Sequence, residues 1–308
     1  MDSITSHKNS VKFYLGLTGF FILFFSIGSF LIITGSKQYN LIPKPPKTDL
    51  MIVFGSISVL FSFYFIYSYI KNTPNIFIDR KTIRFNKNEH AINSIEKINF
   101  SGKHRFMLLS YVEGTKIYFK NGEIKYIFDL WYTNYYLLKQ YLEHITTSGD
   151  SFKPYIVKST KGINPGHVYN YKGIFLFSFR GVLYIMLCIP ILIVASTKED
   201  ITGMLFGTLL TIVFYFVFGT HVYYVQSNDD FLVIKNHLFF WTHHIYYLSD
   251  IDEVVYETQS KQPNNIRIVT KDYRTKLYGA GTLSNAALRS LKTHLEAKGI
   301  RVRNEIGI

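Results

Sequence analysis

The sequence predicts an integral membrane α+β protein: four transmembrane helices in two hairpins, each hairpin followed by an antiparallel β module that a C-terminal helix closes. Three observations predict it. The 308 residues are 48% hydrophobic and 17% aromatic but only 18% charged, too apolar for two water-facing domains of that length. The apolar residues are also clustered. Residues 13–34, 50–70, 181–197 and 201–226 hold no Asp, Glu, Lys or Arg, and each run approaches the roughly 20 residues that cross a bilayer. Finally, the order hairpin, short strands, amphipathic helix occurs twice, as a duplicated module would give.

The first run is longer than the roughly 7–15 apolar residues of a signal core. A second run follows after the short loop Ile42-Pro43-Lys44-Pro45-Pro46, so residues 11–70 are expected to stay as the first hairpin. The first module covers residues 71–146. Its β-prone runs are Ile76-Phe77-Ile78 and Thr82-Ile83-Arg84-Phe85, divided by Asp79-Arg80-Lys81, then residues 95–100, 116–120 and 123–128. The last two flank Asn121-Gly122, the pair suited to a two-residue type I′ turn. Thr133 is placed to cap a helix whose Leu137, Leu138, Tyr141, Leu142 and Ile145 share one face.

Residues 147–172 form a linker, because Gly149, Pro154, Gly162, Pro165 and Gly166 oppose regular structure throughout. The second hairpin spans residues 173–226. Arg180 stands at its membrane boundary, where its guanidinium can reach headgroups. Only Thr197-Lys198-Glu199-Asp200 turns the chain between its helices, and Gly203 and Gly207 form a GxxxG that suits packing on the third helix. In the second module, residues 227–308, the matching runs are 231–234, Leu238-Phe239-Phe240, 251–256, 266–269 and 274–278, with a turn around Lys271-Asp272. Ser284 can cap the closing helix, Leu288, Leu291 and Leu295 form its stripe, and Gly299 is a plausible stop.

The net charge of +13 does not require nucleic acid, because cytoplasmic loops of membrane proteins are rich in Lys and Arg. With the N-terminus inside, eleven basic residues near span ends fall on the inner side and four on the outer. Both termini and both modules are thus expected in the cytoplasm, in a bacterial-type inner membrane. One cysteine, Cys188, rules out an intramolecular disulfide and a cysteine metal cluster.

The segment Ser249-Asp250-Ile251-Asp252-Glu253-Val254-Val255, then residues 266–273 and the helix over 283–298, resemble the bacterial membrane-anchored proteins with PH-like domains. The resemblance covers nearly the whole chain as architecture. It implies a bent antiparallel sheet plugged by a helix and used for lipid or protein contacts rather than catalysis. The first module departs from the pattern over residues 101–114. No basic cluster marks the first hairpin of the second module, so recognition of a specific lipid head is not implied.

Signs of chemistry are sparse. His243 and His244 are adjacent and would point to opposite faces of a strand, which disfavours a shared metal with His237. His221 is a lone histidine at a predicted span end, and Asp229-Asp230 and Asp250-Asp252-Glu253 suit turns. No GxSxG, Walker loop, GxGxxG after a strand or HExxH occurs. No catalytic residue, metal or cofactor is expected. The expected function is a non-enzymatic scaffold or adaptor. The alternatives are an accessory subunit of an envelope-stress or transport complex and, behind it, a membrane enzyme or a channel. The partners expected are membrane lipids and a protein, not nucleic acid. Residues 71–172 carry 16 Lys+Arg against 8 Asp+Glu, and residues 226–308 carry 11 against 9. Contacts with anionic lipid are therefore expected from the first module, at Arg80, Lys81, Arg84, Lys87, Lys103 and Arg105.

Overall fold

The computed structural model describes residues 3–39, 41, 43, 45–108, 110–147, 151–175, 178–197, 201–220, 222–258 and 264–307, without the side chains of 179, 180, 190, 192, 194–197, 201–203 and 206. The chain divides into two units, Met1–Pro154 and Tyr155–Ile308.

The first unit opens with β1 (Ser3–Thr5), α1 (Ser10–Tyr39), α2 (Thr48–Asn72) and β2 (Ile76–Asp79). β1 pairs antiparallel with β2, Ser3 opposite Asp79 and Thr5 opposite Phe77. The helix pair is thus an excursion out of a β-hairpin. β3 (Thr82–Phe85) and β4 (Asn88–Ala91) extend the sheet to the order β1-β2-β3-β4. A second sheet pairs β5 (Ile95–Asn99), β6 (Lys103–Met107) and β8 (Ile124–Phe128) with the ten-residue β7 (Ser110–Phe119). α3 (Tyr135–Thr147) lays Leu138, Tyr141 and Leu142 onto a core of Ile76, Ile78, Ile83, Ile117, Phe119 and Ile127, all buried. Six apolar side chains of this size, each worth about 1.5–3 kcal/mol on burial, hold the sheets and helix together.

α1 and α2 have mean hydropathies of 2.2 and 2.1, and only 6% and 17% of their apolar windows are buried in the protein. Helices of this length and apolarity are long and apolar enough to cross a membrane. They meet through small residues: a Cβ added at Gly28 or Gly55 would stand 2.7 or 2.8 Å from the other glycine's carbonyl oxygen. Ser58 Oγ also donates across to the Phe24 carbonyl at 2.8 Å.

The second unit runs β9 (Tyr169–Tyr171), α4 (Phe179–Thr197), α5 (Ile201–Gly219), β10 (Tyr223–Ser227), β11 (Phe231–Asn236) and β12 (His243–Tyr247). β9-β10-β11-β12 is the order of its first sheet, the same plan as β1 to β4, with a helix pair again between the first two strands. In the second sheet β13 (Ile251–Glu257), β14 (Asn265–Thr270) and β15 (Thr275–Gly279) run antiparallel, and β16 (Arg301–Asn304) joins β13 in parallel. α6 (Asn285–Ala297) buries Leu288, Leu291 and Leu295, its Ser284 cap accepts from the Ala287 N–H, and Gly299 follows at φ 76°.

Several expectations are corrected. Among the described residues two helices, α1 and α2, are long and apolar enough to cross a membrane, not four. The fourth apolar run is helical only to Gly219, as α5, and its last residues leave the helix. Asn236 Nδ2 donates to the Gly219 carbonyl at 2.6 Å, the Phe239 ring leaves no room for a Cβ at Gly219, and residues 223–227 become β10. Leu238-Phe239-Phe240 is a loop rather than a strand, because the Asn236 side chain accepts from the N–H groups of Leu238 and Phe239, both at 2.8 Å.

Asn121-Gly122 closes a three-residue loop, not a two-residue one. Gly122 N–H bonds to the Phe119 carbonyl and Phe119 N–H to that of Glu123, with Gly122 alone of the pair at positive φ. Thr133 does not cap α3; its hydroxyl donates to the His7 carbonyl, and Asn134 bonds His7 N–H and the Thr5 carbonyl. The linker end forms β9, and residues 101–114, where the strand count was open, supply β6 and the start of β7.

Candidate functional site

The strands of the first unit give it a direction. α2 ends at Asn72 and β2 starts at Ile76, so the Ile76 end of the sheet faces the helix pair. Asp79 lies three residues on, about 10 Å away at the strand rise. Pairing carries this polarity across the sheet: Phe85 is opposite Ile76, which puts the Asn86-Lys87 turn at the helix end and the Arg80-Lys81 turn at the far end. In the second sheet the Phe106 ring lies 5.3 Å from Tyr69 of α2 and 5.3 Å from Trp131, and Asn72 Nδ2 donates to the Phe106 carbonyl. The turn after Met107, which stands opposite Ser110, is therefore also at the helix end.

The predicted basic residues separate accordingly. Lys87 and Arg105 are exposed at the helix end, Arg105 with its Nε donating to the Met107 carbonyl at 3.4 Å. Lys103 lies two residues further back on β6, opposite Glu113. Arg84, exposed on β3, holds its guanidinium 4.5 Å over the Phe77 ring and 3.6 Å from Glu89. Arg80 and Lys81 stand at the opposite end from the helices.

Of the residues at the helix end, Lys8 and Lys71 were counted on the inner side of the spans but not named as lipid contacts, and Leu108 and Tyr111 were missed. Lys8 lies 4.8 Å over the Phe13 ring, and burial holds its ammonium pKa down. Lys71 lies 5.6 Å over Tyr67. Leu108 and Tyr111 are 54% and 63% exposed, an apolar tip on a basic hairpin. The signal was legible as Arg105-Phe106-Met107-Leu108, where a cation precedes three large apolar residues.

In the second unit His243 pairs with Lys235 and His244 with Ile234, so the two histidines do face opposite sides. His244 meets the Lys276 ammonium at 3.1 Å; burial, then Lys276, lower its pKa to about 4. Among the described residues no group of three His, Cys, Asp or Glu could hold a metal ion. Gly207 is buried in α5, and Cys188 is buried in α4. The side chain of Arg180, the contacts of Gly203 and all of His221 lie outside the described residues. No family model and no curated protein matches the chain.

Proposed function

We propose that the chain is a non-enzymatic integral protein of a bacterial-type inner membrane, a scaffold or adaptor that α1 and α2 anchor and whose β units, of the PH-like kind, meet lipid or protein. One observation carries this reading. Phe13, Phe65 and Tyr69 of the exposed apolar helix pair are buried in the same core as Ile76, Phe106 and Trp131, so the first β unit is built onto the helices instead of hanging from a tether. The shared strand order and helix-closed sheets of the two units support the duplicated PH-like architecture. The basic residues Lys8, Lys12, Lys71 and Lys87 near the polypeptide's entry to and exit from the helices support a cytoplasmic N-terminus and cytoplasmic β units.

On this reading the helix end of the first unit lies on the headgroups, where each basic group gains about 1 kcal/mol against an anionic leaflet. The Arg80-Lys81 turn is turned to the cytoplasm, available to protein. A photo-crosslinking residue in place of Tyr111, in native membranes, should give phospholipid adducts, and one in place of Lys81 should not. Lipid adducts at position 81 with none at 111 would reject this arrangement.

A further inference from the structure

The second unit holds a cleft of about 800 Å³ on the outer face of its first sheet, within the usual range for small-ligand sites. Residues 163–168 cover it from one side. Strand register builds its floor in two rows. Tyr224, Lys235 and His243 are cross-strand neighbours, and so are Asn170, Gln226, Val233 and Ile245. Alternation sends these side chains away from the core face, which holds Val225, Ile234 and Leu232. Lys172 and His237 complete the polar lining. The lining residues include two lysines and two histidines but no carboxylate.

Two buried polar atoms there lack partners. Gln226 is 8% exposed, its Nε2 donates to Asn170 Oδ1, and its Oε1 has no hydrogen bond. His237 Nε2 is likewise buried without one, its ring 4.6 Å from Tyr224 and 6.3 Å from Phe175. Burial, then the neighbouring Lys172, hold its pKa below the usual histidine value, so the ring is neutral near pH 7. A buried polar atom left without a partner is unfavourable, and a ligand with hydroxyl groups would supply the missing bonds. Phe175 and Ile174 add an apolar wall, and Phe240, 81% exposed, adds an apolar lip.

We propose that this cleft binds a glycerophosphate group, its phosphate between Lys172 and Lys235 and its hydroxyls on Gln226 Oε1 and His237 Nε2. The group could arrive as the head of an anionic lipid or as free glycerol phosphate, and the apolar lip suits the lipid. Titration calorimetry on the full chain in neutral detergent can separate the two, with dihexanoyl phosphatidylglycerol, sn-glycerol 3-phosphate and dihexanoyl phosphatidylcholine as probes. Phosphatidylglycerol should bind at least tenfold tighter than phosphatidylcholine. Lys172→Gln with Lys235→Gln should weaken it about tenfold or more, and Lys97→Gln with Lys120→Gln, exposed in the other unit, should leave it unchanged. Tight binding of free glycerol phosphate with the same lysine dependence would support the site and assign it a soluble ligand. Binding of neither anion, or binding that survives the double lysine change in a variant with unaltered melting, would overturn the proposal.

Discussion

Asp129 and Lys139 form a buried ion pair in the first unit, Nζ to Oδ2 at 2.8 Å with side chains 5% and 1% exposed. Removing one partner leaves the other charge buried and unpaired, at about 3–5 kcal/mol. Lys139→Ala should therefore lower the unfolding free energy by about that much in detergent titrations followed by Trp131 fluorescence. Asp129→Leu with Lys139→Met should recover most of it; if the single change costs under about 1 kcal/mol, the pair is not desolvated. His244 gives a pH effect in the second unit. Unfolded, it takes up its proton near pH 6.5, but folded it resists to about 4, so acid favours the unfolded chain. The stability it confers above pH 6.5 should fade as pH falls towards 4, and His244→Gln should flatten that part of the melting curve. An unchanged curve would place the histidine in solvent. Neither pairing was legible in the sequence, since Asp129 and Lys139 belong to different elements and nothing in local spacing marks them as partners.

Elements were legible where periodicity and turn chemistry agreed, as for α6, where Ser284, the leucine stripe and Gly299 act as read. They were not legible where a tertiary contact decides. β1 is three residues long and acquires its strand character from β2, 72 residues later at the closest paired positions, Thr5 and Phe77. The hairpin loop at Gly122 has a counterpart at Lys271-Asp272-Tyr273, where Tyr273 takes positive φ and its N–H bonds to the Thr270 carbonyl. One geometry thus serves with glycine in one unit and tyrosine in the other, which residue type alone does not reveal. The glycines that matter for helix packing are Gly28 and Gly55, which no GxxxG marks, because the contact joins two helices rather than one repeat. Gly55→Leu should separate α1 from α2, since the Gly28 carbonyl and Ile32 already touch the site. The check is a cysteine pair at Phe24 and Ser58 in a Cys188→Ser chain. Crosslinking there should be efficient with Gly55 and fall several-fold with Leu; equal yields would refute the close approach.

At the scale of the molecule, apolar composition and the repeated order of elements made the apolar helix pair and the paired β units legible, but four spans were expected where, among the described residues, two helices are long and apolar enough to cross a membrane. Apolar runs alone do not distinguish helix from a buried strand rich in Tyr and Val, and β10 lies in such a run. The basic surplus of the first unit is read directly from the sequence, whereas the end of the sheet that bears each charge depends on strand polarity, which only pairing fixes. The central claim is that this unit stands on the membrane by the end built onto α2. In the Cys188→Ser chain, an environment-sensitive fluorophore can be placed at Leu108→Cys or at Lys81→Cys and the protein reconstituted in anionic vesicles. The account predicts blue-shifted emission at 108, quenched by brominated lipid and shielded from aqueous iodide, with the reverse at 81. Iodide quenching at 108 together with lipid quenching at 81 would contradict it.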